Sequence, residues 1–155
     1  MAHVTARIGP EEAALARRSL PESAWSLFDS MPAADRRHGL DVAARLLAAG
    51  QDDPDLLAAA LLHDAAKGHR MRLWHRVGGV LLEAFAPRTL HRLARDDPGS
   101  WRHAFHLYLH HGPMSADAAL GAGCSHRTAE FIRGRPADAA DASLLAALRA
   151  ADEAS

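Results

Sequence analysis

An unbroken apolar run, Leu56 to Leu62, opened by Asp53-Pro54 and closed by His63-Asp64, sets the strictest limit on what this chain can become. Asp53 reads as a helix cap and Pro54 as the first helical residue, and the helix is expected to continue to Lys67-Gly68. A hydrophobic helix ending in an imidazole and a carboxylate side by side is a poor way to build a core. It is a good way to carry a divalent metal into a protected cleft. Histidine offers a nitrogen ligand and aspartate an oxygen ligand, while Lys67 adds a positive charge suited to a phosphate.

The rest of the chain is punctuated in the same helical manner. There is no hairpin signal, no sustained two-residue alternation and no internal repeat. Pro10, Pro21 and Pro32 each open a helix, ending near Leu20, Ser30 and Gly50. Further helices are expected over about 74–85, 87–95, 100–111, 115–122, 125–133 and 138–153. Alanine and leucine are plentiful and aromatics make up only 5% of residues, which favours helix over sheet. The fold class expected is all-α: one helical domain, with no boundary inside its 155 residues.

Composition excludes several functions. The net charge of −1 supplies no field to draw nucleic acid or an anionic membrane. Cys124 stands alone, so neither a disulfide framework nor a cysteine zinc site is expected. Residues Met1 to Pro10 carry no secretory-type apolar stretch, and no segment approaches the roughly 20 apolar residues of a membrane span. The expected location is cytoplasmic. The alanine-rich helices are compatible with a homodimer, although nothing marks an interface.

Eleven histidines are unusual for this length, and helical periodicity sorts them. On the last helix Leu145 and Leu148 form an apolar stripe that Asp152 continues. A carboxylate facing inward at a helix C-terminus is doubly disfavoured, and a cation beside it resolves the conflict. Taken alone, Asp152 also fits a frayed helix end in water. On the helix 100–111, Ala104, Leu107, Tyr108 and His111 share the inward face, and His103, His106 and His110 read as a solvated polar face. His38 lies at the flank of a stripe formed by Leu40, Ala43, Ala44 and Leu47; singly, it reads as a histidine at the core edge. Trp25, Trp74 and Trp101 are expected to fill the core. Ser125 is expected to cap the helix that follows Cys124.

The order His38, His63-Asp64, His111, Asp152 resembles the HD-domain superfamily of metal-dependent phosphohydrolases. The resemblance covers the chain from His38 onward and is strongest at Ala60–Lys67 and at Leu148–Glu153. It implies a helical bundle in which His38, His63, Asp64 and Asp152 hold a divalent transition metal (Mn, Fe, Co, Ni or Zn). One ion is expected and a second is allowed. The segment His111-Gly112-Pro113 is similar to one in the bacterial symmetrical diadenosine-tetraphosphate hydrolase branch. There additional histidines hold a second metal, so His111 is a candidate second-site ligand or phosphate contact. That branch has a further histidine near Ile132–Pro136; this chain has Arg135 instead, which cannot ligate a metal but can grip a phosphate. His75, His110 and His126 are substitutes to be considered.

The implied activity is hydrolysis of a phosphate ester or phosphoanhydride of a small nucleotide-like substrate by a metal-activated water. Asp64 is expected to orient or deprotonate that water, Lys67 to offset phosphate charge, and Arg70, Arg72 and Arg76 to form a local phosphate-binding segment. A second expectation is an HD domain with weakened turnover, acting as a nucleotide- or metal-binding sensor or interaction module. A third is a helical interaction module whose histidines coincide by chance.

Overall fold

The computed structural model describes residues 8–67 and 81–155, all of whose regular structure is helical. The helices are α1 (Pro10–Ser19), α2 (Glu22–Ser30), α3 (Ala33–Ala48), α4 (Pro54–Leu62), α5 (Pro87–Leu93), α6 (His103–Gly121), α7 (His126–Arg133) and α8 (Ala139–Glu153). Residues 81–85 are also helical.

Local chemistry explains most of the boundaries. Asp53, Ser125 and Asp138 each accept a bond from the backbone N–H three residues on, satisfying a donor that the first helical turn leaves open. Proline occupies the first position of α1, α4 and α5, where its missing N–H is harmless. Gly134 ends α7 in the left-handed conformation, with φ at 71°.

The core is organised around α4. Every residue from Leu56 to Leu62 is buried, as a helix apolar on all sides requires. It packs against α1, α3, α6, α7 and α8. Leu15, Ala24 and Phe28 join the same core, so α1 and α2 are part of the packed domain. No helix among the described residues is long and apolar enough to cross a membrane.

Several expectations need correction. The helices expected at 100–111 and 115–122 are one helix, α6, which runs through Pro113. Proline removes an N–H and crowds the carbonyl four residues back, at about 3 kcal/mol or more. Burial of Leu107 on one side and Ser115, Ala116 and Ala119 on the other outweighs this. The α4 helix ends at Leu62, and residues 63–67 form turns. In α3 the buried residues include Gly39, Leu40, Val42, Ala43 and Leu46, while Ala44 is exposed. A close approach at Gly39 rotates the contact face toward that residue: a Cβ there would lie 3.0 Å from the Leu61 carbonyl oxygen. Trp25 packs on the core, whereas Trp101 is 59% exposed. Trp74 lies outside the described residues.

Candidate metal centre

The end of α4, the start of α3 and the end of α8 meet at one point. His38 projects from α3, His63 caps α4, and Asp152 sits in the last turn of α8. The His38 Nε2 to Asp152 Oδ1 distance is 2.8 Å, and His63 Nε2 lies 3.4 Å from that same oxygen. His38, His63 and Asp152 form a group able to hold a metal ion, each offering a ligand atom within 4.8 Å of the others. Asp64 is not part of that group, although its Oδ1 lies 3.5 Å from His63 Nε2.

The donor set passes a direct test of fit. His63 Nε2 and Asp64 Oδ1 are both buried, and among the described residues neither has a hydrogen-bond partner. Leaving such a pair unsatisfied costs several kcal/mol between them, about 1–3 each. First-row ions bind nitrogen and oxygen at about 2.0–2.2 Å, so neighbouring ligand atoms stand about 3 Å apart. The spacings of 2.8 and 3.4 Å within the group of His38, His63 and Asp152 match that requirement, and the 3.5 Å from His63 to Asp64 does so for that pair alone.

Neighbouring groups orient the ligands. The Ala60 carbonyl accepts from His63 Nδ1 at 2.9 Å, which places the proton there and turns Nε2 toward the carboxylates. The 63–67 turn is tied to α6 by Ser115, a fully buried residue whose Oγ accepts from the Ala66 N–H at 3.0 Å. At the mouth, Asp152 remains 46% exposed, although its Oδ1 faces inward as the stripe on α8 predicts.

The charges are coupled. Burial works to lower the His63 pKa, but the contact with Asp152 and the charge of Asp64 outweigh it and raise the imidazole above its ordinary value. For Asp64, burial works upward, and His63 and Lys67 together hold the carboxyl below its usual range. His38 and His63 hold Asp152 far below that range. Burial, aided by the charge of Lys67, lowers His111, which favours its neutral form.

His111 joins the site from α6, with Nε2 at 4.0 Å from Asp64 Oδ1. Its Nδ1 donates to the Tyr108 carbonyl, so Nε2 carries the free lone pair. Lys67 Nζ binds Asp64 Oδ2 at 2.5 Å. This differs from the expected division of labour: the second oxygen of Asp64 answers a lysine, because a carboxylate only 2% exposed needs a nearby cation.

A cavity of about 280 Å³ opens beside these ligands, between α6, α7 and α8. His63, His111 and Asp152 form its polar end, and Ile132, Leu145 and Leu148 form an apolar wall. Arg135 is exposed and does not line it; Arg133, Gly134 and Arg149 do. His110 is exposed and does not line it either, and His126 opens α7 at the end away from it. Arg70, Arg72, Arg76 and His75 lie outside the described residues. His103 and His106 do not form a solvated face: their side chains are 12% and 22% exposed, each 3.8 Å from Asp96. Arg102 bonds the carbonyls of Arg92 and Leu93 and so holds the preceding segment against them.

Sequence reasoning missed Gly39, Ser115 and Arg149. A glycine inside a helical stretch was the available signal for the first, and the i−3 spacing from Asp152 for the last. Ser115 carried none. Comparison with protein-family models, with curated proteins and with solved structures finds no match.

Proposed function

We propose that this chain is a metal-dependent phosphohydrolase of the HD-domain type, cleaving a phosphate ester or phosphoanhydride of a small nucleotide-like substrate. The observation that carries the reading is the convergence of His38, His63 and Asp152, with the buried Asp64 Oδ1, which makes no hydrogen bond among the described residues, 3.5 Å from His63 Nε2. Two imidazoles and two carboxylates suit Mn, Fe, Co, Ni or Zn. When bound, such an ion supplies a Lewis acid for a phosphoryl oxygen and lowers the pKa of a water molecule.

The protein groups divide the remaining work. Neutral His111, with its lone pair toward Asp64, accepts the proton of the attacking water. Lys67 balances the charge of Asp64 and keeps that carboxylate ionised. The apolar wall of Ile132, Leu145 and Leu148 excludes competing water from the reacting phosphoryl group.

A second reading, a metal-binding sensor with weakened turnover, is favoured by one observation. Arg133 and Gly134 border the cavity in the stretch where the resembling hydrolases carry a further histidine. One experiment separates the two. A panel of nucleotides and generic phosphodiesters is assayed with added Mn, Co or Ni. Turnover lost in His63→Ala and Asp64→Ala supports the enzyme, and nucleotide binding without turnover supports the sensor.

A further inference from the structure

The cavity beside the ligand cluster has two arginines on its wall, and they are differently engaged. Arg133 is neutralised by Asp117 and Glu130. Arg149 takes part in no hydrogen bond or ion pair among the described residues, and it is exposed. It lies three residues before Asp152 on α8, so both side chains emerge on neighbouring parts of one helix face.

Its guanidinium is placed by the fold. A Cβ built on Gly134 would lie 3.0 Å from Arg149 Nη2. The bare glycine at the end of α7 therefore lets the arginine head lie against the cavity wall. The cavity volume of about 280 Å³ also exceeds what one phosphoryl group fills, given the roughly 30 Å³ a single water takes in the liquid.

We propose that Arg149 is the specificity-determining anion site of this cavity, gripping the phosphoryl group next to the one held at the ligand cluster, so that the preferred substrates are phosphoanhydrides rather than simple monoesters. A guanidinium suits that grip because it is planar, permanently charged and able to form paired hydrogen bonds to phosphate oxygens. This rests on the metal-centre reading above, and the test keeps the two apart.

The test is calorimetric titration of the Mn-loaded full chain with inorganic phosphate and with the non-hydrolysable imido analogue of pyrophosphate. Wild type should bind the diphosphate analogue more tightly than phosphate. Arg149→Ala should lose about tenfold to a hundredfold of its affinity for the analogue while phosphate affinity stays within about threefold, and Arg149→Lys should recover part of the loss. Arg149→Gln, which keeps two of the three stem methylenes and an uncharged polar head, serves if the alanine variant does not fold. Unchanged affinity for the analogue in the variant overturns the Arg149 proposal and leaves the metal-centre reading standing. A cation beside the C-terminal end of α7 also stabilises that helix through its dipole, so a fall in melting temperature alone, without a binding change, counts against the proposal. Failure of Mn-loaded wild type to bind either anion overturns both.

Discussion

Gly39→Ala tests whether the packing of α3 on α4 builds the metal centre. Propensity alone says that alanine inside a helix stabilises by about 1 kcal/mol relative to glycine. Geometry says the reverse. The new methyl would lie 3.0 Å from the Leu61 carbonyl oxygen, 3.1 Å from that of Ala60 and 3.2 Å from Leu61 Cα. All three are backbone atoms of a helix enclosed by five others, so α4 cannot yield cheaply. Overpacking of this kind costs about 1–3 kcal/mol. Set against the propensity gain, the net is a loss of roughly 0–2 kcal/mol, with each kcal/mol lowering the melting temperature by about 2–4 °C in a chain of this size. The larger effect falls on the adjacent residue. His38 rides on α3 and His63 on α4, and coordination tolerates displacements of only about 0.2 Å. Mn affinity, read by calorimetry, should drop by about tenfold to a hundredfold, as when a group supporting a ligand is lost. A variant that melts higher and binds Mn as tightly as wild type refutes the reasoning.

Further outcomes follow from the same geometry. Ser115→Ala leaves the Ala66 N–H without its acceptor and should cost about 1–3 kcal/mol in denaturant unfolding; unchanged stability would mean the turn is held by something else. His111→Gln should keep one Mn per chain while turnover falls about 10²–10⁴-fold, and loss of a bound ion would instead make it a ligand. In the metal-free protein His63 is raised, so its stabilisation is complete below roughly pH 6.5 and fades as pH climbs through the raised value. Asp152 is lowered, so its contribution is present above roughly pH 4 and fades as pH falls through the lowered value. Thermal melts in chelator should therefore peak between those limits. Mn affinity should rise as pH climbs through the raised His63 value and its proton is lost, and a flat profile would contradict this.

The parts of this architecture written in local chemistry were legible from the residues. Pro54, Ser125 and Asp138 mark helix starts because the backbone needs a cap or tolerates a missing N–H there. Asp152 was legible because its stripe on α8 made a carboxylate point where none belongs. What depends on tertiary contact was not. Pro113 reads as a break, yet α6 continues through it because both flanks are buried. His103 and His106 read as solvated, but their side chains are only 12% and 22% exposed, each 3.8 Å from Asp96 in the stretch just before α6. Lys67 reads as a free cation for phosphate, whereas the burial of its neighbour Asp64 commits it to that carboxylate. Arg149 is marked in the sequence only by its spacing from Asp152; that Gly134 lies beside its guanidinium is a tertiary contact.

An anomalous-difference map from Mn-soaked crystals tests the central claim most directly. One peak is expected within about 2.0–2.4 Å of His38 Nε2, His63 Nε2, Asp64 Oδ1 and Asp152 Oδ1 together. A map with no peak among these four atoms, or with its peak beside Asp96, His103 and His106 instead, contradicts it.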